Sequence, residues 1–140
     1  MGEIAYPRSS TYGECGPHER LRRHRVFETG EEVMKRYCQL VRVKPEAIAE
    51  YERIHAAVWP GVLDMIRQCN IRNYSIFLRD GTLYSYFEYH GDDFAGDMAK
   101  MAADPTTQEW WAIMMPMQAP RPTRAEGEWW TNMEEVFHTD

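Results

Sequence analysis

The residues from Lys35 to Val43 fall on two alternating faces, with the period of two that is typical of a β-strand. The same alternation returns over residues 74–78 and 83–89. Between these two runs stands Asp80-Gly81, a dipeptide that is favoured in tight hairpin turns. The pattern therefore predicts one strand followed, after a gap, by a β-hairpin.

Within that gap, residues 45–69 repeat apolar positions at the period of an α-helix. Pro45 suits the first turn of a helix, and Glu46 complements the positive end of the helix dipole. Pro60 cannot donate a hydrogen bond inside a helix, so we expect a bend or restart near Trp59. The sequence thus predicts a long helix with a break in its middle.

One stripe of this helix carries two polar groups among apolar side chains. Tyr51 and His55 are four residues apart, so the phenol and the imidazole lie on the same face. If both groups are buried they need hydrogen-bonding partners, whereas if the face lines a pocket they are available for chemistry. A lone histidine on such a stripe is more often a core residue, and the neighbouring tyrosine favours the pocket. The stripe comprises Ile48, Tyr51, His55, Val58, Val62, Ile66 and Cys69.

The second half of the chain predicts two more helices and a final strand. A helix over Phe94–Ala103 follows acidic capping residues, and Asp104-Pro105 begins another that extends to about residue 115. Residues 116–127 contain three prolines and indicate a loop. Residues 128–137 are rich in aromatic and β-branched residues, and we expect them to form the last strand.

The predicted order is β-α-β-β-α-β with the second helix broken in two, which is the ferredoxin-like plan of α+β proteins. One antiparallel sheet would then carry helices on one face and leave an aromatic-rich face open. Such a face is usually covered by a second copy, so we expect a homodimer that packs sheet to sheet. Residues 34–140 would form this domain. Residues 1–33 show no sustained period, so we expect them to be a flexible N-terminal arm.

Composition narrows the classes of function. The chain has 140 residues, 44% hydrophobic and 13% aromatic, which suits one domain with a single core. Its net charge of −6 gives no basic excess for nucleic acid, and no apolar run is long enough to cross a bilayer. Cys15, Cys38 and Cys69 have no CxxC spacing and indicate neither a zinc site nor a disulfide framework. We therefore expect a cytoplasmic protein.

The pair Trp110-Trp111 is the second candidate for a binding site. Adjacent helical residues point about 100° apart, so at most one of the two can occupy the centre of the core. Two roles are equally compatible with this pair, namely packing in the core and stacking against a sugar ring. The second is possible because an indole offers a flat apolar face and an N–H donor. Tyr74 adds another ring with a polar tip. For Trp129 and Trp130 we favour packing in the core or at the dimer interface.

Other catalytic motifs are absent from the sequence. It contains no Gly-rich phosphate loop, no GxSxG elbow and no HExxH pair, and its other histidines are not at metal-ligand spacing. The helix stripe and the tryptophan pair therefore carry the functional prediction.

Taken in order, these motifs resemble those of the L-rhamnose mutarotase family. The string Glu50-Tyr51-Glu52-Arg53-Ile54-His55, continuing to Trp59-Pro60, is similar to the first-helix signature of that family. Asn73-Tyr74-Ser75-Ile76, Trp110-Trp111 and Glu135-Val136-Phe137 follow in the order the family shows. The resemblance spans residues 34–137, and the ordered set is more specific than any single motif. The arm of residues 1–33 departs from the family pattern, which leaves the role of the arm open.

The resemblance implies a dimeric α/β-barrel enzyme that interconverts the α and β anomers of a 6-deoxy hexose such as L-rhamnopyranose. It implies that the reaction needs no cofactor and no metal. Residue by residue, it implies His55 as the proton donor, with Tyr51, Tyr74, Trp110 and Trp111 as the residues that bind the sugar.

Two other functions fit the same residues. A cofactor-free monooxygenase of the dimeric α/β-barrel type would also use an aromatic pocket with one histidine. A non-catalytic carbohydrate-binding module would use His55 as a hydrogen-bonding group and no more. Faster exchange between anomers indicates the mutarotase, oxygen uptake indicates the monooxygenase, and sugar binding without exchange indicates the binding module.

Overall fold

The computed structural model describes residues 34–140, and the arm predicted for residues 1–33 lies outside the described residues. In the described part, the strands are β1 (Lys35–Val43), β2 (Ile71–Arg79), β3 (Thr82–Tyr89), β4 (Gln118–Ala119) and β5 (Thr131–Met133). The helices are α1 (Ile48–His55), α2 (Pro60–Gln68), α3 (Phe94–Ala103) and α4 (Pro105–Met114), with 3-10 turns at Pro45–Ala47 and Met115–Met117. The predicted first strand, broken helix, hairpin and two later helices are confirmed.

The strands form an antiparallel sheet in the order β2-β3-β1-β4. One edge of β1 pairs with β3. The other edge pairs with two short strands, with β4 at Arg42 and Val43 and with β5 at positions 38–40. Element order and pairing together confirm the α+β prediction with its β-α-β-β-α-β order. None of the helices in residues 34–140 is long and apolar enough to span a membrane.

The final part of the chain differs from the prediction. The stretch predicted as a loop, residues 116–127, contains the 3-10 turn and the short strand β4, and the predicted strand over residues 128–137 pairs only at Thr131–Met133. At its start β5 is limited by β4, which already occupies the β1 edge at Arg42 and Val43, whereas beyond Met133 the backbone pairing ends and the contact with β1 continues as the ion pair between Arg36 and Glu135. Val136 and Phe137, which the prediction placed in the strand, are exposed.

An irregularity in β2 decides which side chains face the helices. Asn73 adopts a positive φ of 50°, and the β2–β3 register shifts between Arg72 and Ser75, which marks a β-bulge. The extra residue reverses the alternation, so that Ile71 and Tyr74 lie on the same face of the sheet, toward the helices. The bulge therefore turns the Tyr74 ring to the helix side of the sheet, where it stays 42% exposed.

The core lies between this face of the sheet and the four helices of the described part. It consists of two clusters, one under α1, α2 and α4 and one nearer α3. The first comprises Val41, Val43, Tyr51, Val62, Leu83, Trp110 and Met114, and the second comprises Cys69, Ile71, Phe87 and Met101. Burial of large side chains of this kind contributes about 1.5–3 kcal/mol each to folding.

Candidate active site

The five residues that the sequence singles out line one cavity. Tyr51 and His55 come from α1, Tyr74 from β2, and Trp110 and Trp111 from α4. The cavity has a volume of about 460 Å³ and is walled mainly by aromatic and methionine side chains. Pockets of this size and character are typical of small-molecule sites.

The imidazole of His55 is held by the backbone of its own helix. Nδ1 of His55 lies 2.8 Å from the carbonyl oxygen of Tyr51. A carbonyl oxygen can only accept, so Nδ1 must carry the hydrogen, and the neutral ring keeps its lone pair on Nε2. The ring also stacks on that of Tyr51, with centroids 4.1 Å apart and planes 22° apart. The tautomer and the orientation of the ring are thereby fixed, and Nε2 is the nitrogen that can exchange a proton.

Trp110 and Trp111 differ in burial, as expected for adjacent residues on a helix. Trp110 is 6% exposed and belongs to the core, whereas Trp111 is 37% exposed at the margin. The Trp110 ring meets His55 edge to face at 5.4 Å and Trp59 at 5.2 Å. Trp110 thus supports the imidazole from the core side, while Trp111 offers an open face to the cavity.

Tyr74 reaches the cavity because of the bulge at Asn73. Its ring packs edge to face on Phe87, with centroids 5.7 Å apart. Desolvation raises the pKa of the Tyr74 hydroxyl well above its usual value, and the nearby phenol of Tyr51 adds to the effect. Tyr74 therefore remains protonated at neutral pH and is available as a hydrogen-bond donor.

Several cavity residues were not predicted from the sequence. Gln118 of β4 is buried and lies between the Tyr51 hydroxyl and the indole N–H of Trp129. Trp129 and Trp130, for which we favoured packing, contact the core and also line the cavity. Gln39 lines the cavity too. The sequence could have indicated this, because Gln39 is a polar residue on the β1 face that carries the apolar Val41 and Val43.

A second, more open cavity of about 700 Å³ shares part of this wall. Tyr51, His55, Tyr74 and Trp110 border both cavities. The second cavity extends past Leu63 of α2 toward the outer part of β2. The imidazole therefore stands in a wall that solvent or a ligand can approach from two sides.

Among residues 34–140, no group of three His, Cys, Asp or Glu side chains could hold a metal ion. The groups that the described cavity offers for chemistry include the imidazole, the two phenols and the amides. Together they can bind a compact polar ring and move protons at its oxygens.

Fold and site together define a small α+β domain with an aromatic pocket that contains an acid/base group. A sequence model of a family described as L-rhamnose mutarotase matches residues 36–139. The chain belongs to the L-rhamnose mutarotase family, whose members are isomerases that interconvert anomers.

Individual relatives agree with this assignment. An L-rhamnose mutarotase of Oceanobacillus iheyensis is 32% identical over 109 residues, which cover 76% of this chain and 100% of that protein. An L-fucose mutarotase of Xanthomonas campestris is 34% identical over 110 residues, which cover 74% and 87%. The crystal structure of an L-rhamnose mutarotase from Formosa agariphila superposes with a TM-score of 0.60 at 20% identity, covering 76% and 99%, and shows the fold.

The hydrogen bond between His55 and the Tyr51 carbonyl generates a prediction about the free protein. Two-bond ¹H–¹⁵N NMR correlation of the histidine rings at a pH above their titration should show the hydrogen of His55 on Nδ1. The spectrum of His55→Gln assigns the resonance by its disappearance. A His55 ring that carries its hydrogen on Nε2 would contradict the geometry described here.

Proposed function

We propose that this protein is a mutarotase that interconverts the α and β anomers of L-rhamnopyranose. Opening the ring requires a proton at the ring oxygen and removal of the proton from the anomeric hydroxyl. The free aldehyde then rotates, and the same steps run in reverse. The observation that carries the proposal is that His55 lines the cavity while its Nδ1 is bonded to the Tyr51 carbonyl, which leaves Nε2 as its free nitrogen.

Nε2 of His55 exchanges the proton at one of these two oxygens. An imidazole ring can both give and take a proton, which suits it to acid/base catalysis. A positioned acid/base group of this kind contributes roughly 10²–10⁴-fold to a rate. The stacked Tyr51 ring and the edge of Trp110 hold the imidazole in place, which lowers the cost of reaching the reactive geometry.

The aromatic wall supports a sugar ring as the substrate. The open face of Trp111 suits the C–H side of a pyranose, and the hydroxyls of Tyr51 and Tyr74 can bond to its oxygens. The relatives at similar identity are named as mutarotases of L-rhamnose and of L-fucose. We take a 6-deoxy hexose as the substrate class and L-rhamnose as its first member.

We infer that the activity lies in residues 34–140, which contain the cavity and the whole of the family match at 36–139. We also infer a cytoplasmic location. Cys38 and Cys69 are free thiols, as is usual in a reducing compartment.

We propose that two copies pair through the sheet face that the helices leave open. In β-sheets, directly paired residues share a face, so Phe77, Tyr84, Leu40 and Thr131 form one row across it. Phe77 is 62% exposed, and Met133 in the neighbouring row is 44% exposed. Apolar side chains so placed are typical of an interface, and pairing of two such sheets gives the dimeric α/β barrel.

Substitution of His55 tests the catalytic role. His55→Gln keeps a side chain of similar length but cannot shuttle a proton, so exchange between L-rhamnose anomers should fall by about 10²-fold or more. Saturation-transfer NMR on the anomeric protons measures the rate, and His138→Gln, at an exposed histidine, is the matched control. Undiminished exchange in His55→Gln would remove His55 from the reaction. Oxygen consumption or binding without exchange by the wild type would favour the monooxygenase or the binding module.

Substitution of Trp111 tests the stacking platform. Trp111→Ala should weaken L-rhamnose binding about fivefold, because the indole face contributes roughly 1 kcal/mol to ring packing. Trp111→Phe keeps a flat ring and should recover most of the affinity. Calorimetric titration measures both, and wild-type affinity in Trp111→Ala would assign this indole to packing alone.

Charge placed on the open sheet face tests the dimer. Phe77→Asp buries a charge at the interface, so sedimentation should show a dimer for the wild type and a monomer for the variant. Ile113→Asp, at an apolar residue of α4 that is also exposed, should leave the dimer intact. A wild-type protein that sediments as a monomer would contradict the pairing.

A further inference from the structure

Gln118 connects two groups of the cavity wall. Nε1 of Trp129 donates to Oε1 of Gln118 at 2.7 Å, and Nε2 of Gln118 donates to the Tyr51 hydroxyl oxygen at 3.3 Å. All three side chains line the cavity, and Gln118 is buried. A buried amide in this position has to satisfy both ends, since an unpaired polar group would be costly.

The direction of these two hydrogen bonds is fixed by chemistry. An indole N–H can donate but cannot accept, so only the carbonyl end of the amide can face Trp129. The amide NH₂ must then point at Tyr51. Because an NH₂ group cannot accept, the Tyr51 oxygen is the acceptor of this bond.

The hydroxyl hydrogen of Tyr51 is consequently left for the cavity. Among residues 34–140, Gln118 is the hydrogen-bonding partner of this hydroxyl, and it uses the oxygen and not the hydrogen. Burial raises the pKa of Tyr51 above its usual value, with the bond from Gln118 opposing, so the phenol keeps its proton near neutrality.

We propose that Gln118 is a positioning residue that makes Tyr51 a hydrogen-bond donor toward the sugar. This inference rests on the proposed function, since it assigns Tyr51 a role at the same substrate. The hydrogen bond from Trp129 fixes which end of the Gln118 amide faces Tyr51. The amide NH₂ then donates to the Tyr51 oxygen, and the hydroxyl hydrogen of Tyr51 is available to a sugar oxygen. The wall then offers a donor from Tyr51 beside Nε2 of His55, which in the neutral ring is an acceptor. The hydrogen bond from Tyr51 then holds one oxygen of the sugar while His55 exchanges its proton with another.

Gln118→Glu tests the direction of the bond with little change of shape. A carboxylate accepts from both Trp129 and Tyr51, so it captures the hydroxyl hydrogen that the amide leaves free. Anomer exchange should fall at least tenfold. Gln118→Met, which has a similar length and neither captures nor donates a hydrogen, should lose less. A packing role for Gln118 predicts the opposite order, with the isosteric Glu the milder change, and that order would overturn the proposal.

A double-mutant cycle shows whether Gln118 acts through Tyr51. Combined with Tyr51→Phe, the Gln118→Glu substitution should change the exchange rate by less than twofold, because the hydroxyl it acts on is gone. A tenfold effect that persists in the Tyr51→Phe background would overturn the proposal.

Resonance Raman spectroscopy provides a measurement that needs no sugar. The intensity ratio of the tyrosine ring doublet differs between phenols that donate and phenols that accept, and subtraction of the Tyr51→Phe spectrum isolates Tyr51. The ratio should indicate an acceptor in the wild type and a donor in Gln118→Glu. If Gln118→Glu does not fold, Trp129→Phe frees the amide to turn and should shift the same ratio. An unchanged ratio in the folded variant overturns the hydrogen-bond assignment, whereas a wild type that exchanges no sugar overturns the proposed function.

Discussion

The hydrogen bond from Nδ1 of His55 to the carbonyl oxygen of Tyr51 is the constraint on which the site depends. It forms within one turn of α1, between residues i and i−4, so it needs no distant element to position the ring. It assigns the tautomer, aligns the imidazole with the phenol and makes Nε2 the reactive nitrogen. The break between α1 and α2 follows directly, so the ring stands at the end of its helix, where the chain turns away.

The rest of the fold surrounds this ring with two kinds of support. Trp110, backed by Trp59, meets the imidazole from the core side and restricts its rotation. On the other side, β4 brings Gln118 to the Tyr51 hydroxyl, although this strand has only two residues in the described structure. A strand this short contributes little to the sheet. Its effect here is to place the polar side chain of Gln118 at a buried position.

Most of the fold was predictable because its signals are local. The alternation over Lys35–Val43, the dipeptide Asp80-Gly81 and the prolines at helix starts act within a few residues, and the structure agrees with them. The shared face of Tyr51 and His55 follows from helical period alone. The unequal burial of Trp110 and Trp111 follows from it as well.

The remainder depends on contacts between distant parts of the chain. The bulge at Asn73 adds one residue to β2, and nothing in the local pattern marks where the alternation reverses. The start of β5 is limited by competition with β4 for one edge of β1, which no propensity can show. The role of Gln118 appears only when residues 51, 118 and 129 are brought together. Polar residues at core positions, such as Gln39, are the signal that sequence reasoning could have used.

A structure of the protein in complex with L-rhamnose tests the central claim most directly. We expect the pyranose in the cavity, with its anomeric or ring oxygen within about 3.2 Å of Nε2 of His55. A sugar bound elsewhere, or one that Nε2 of His55 does not contact, would show that the imidazole is not the acid/base group.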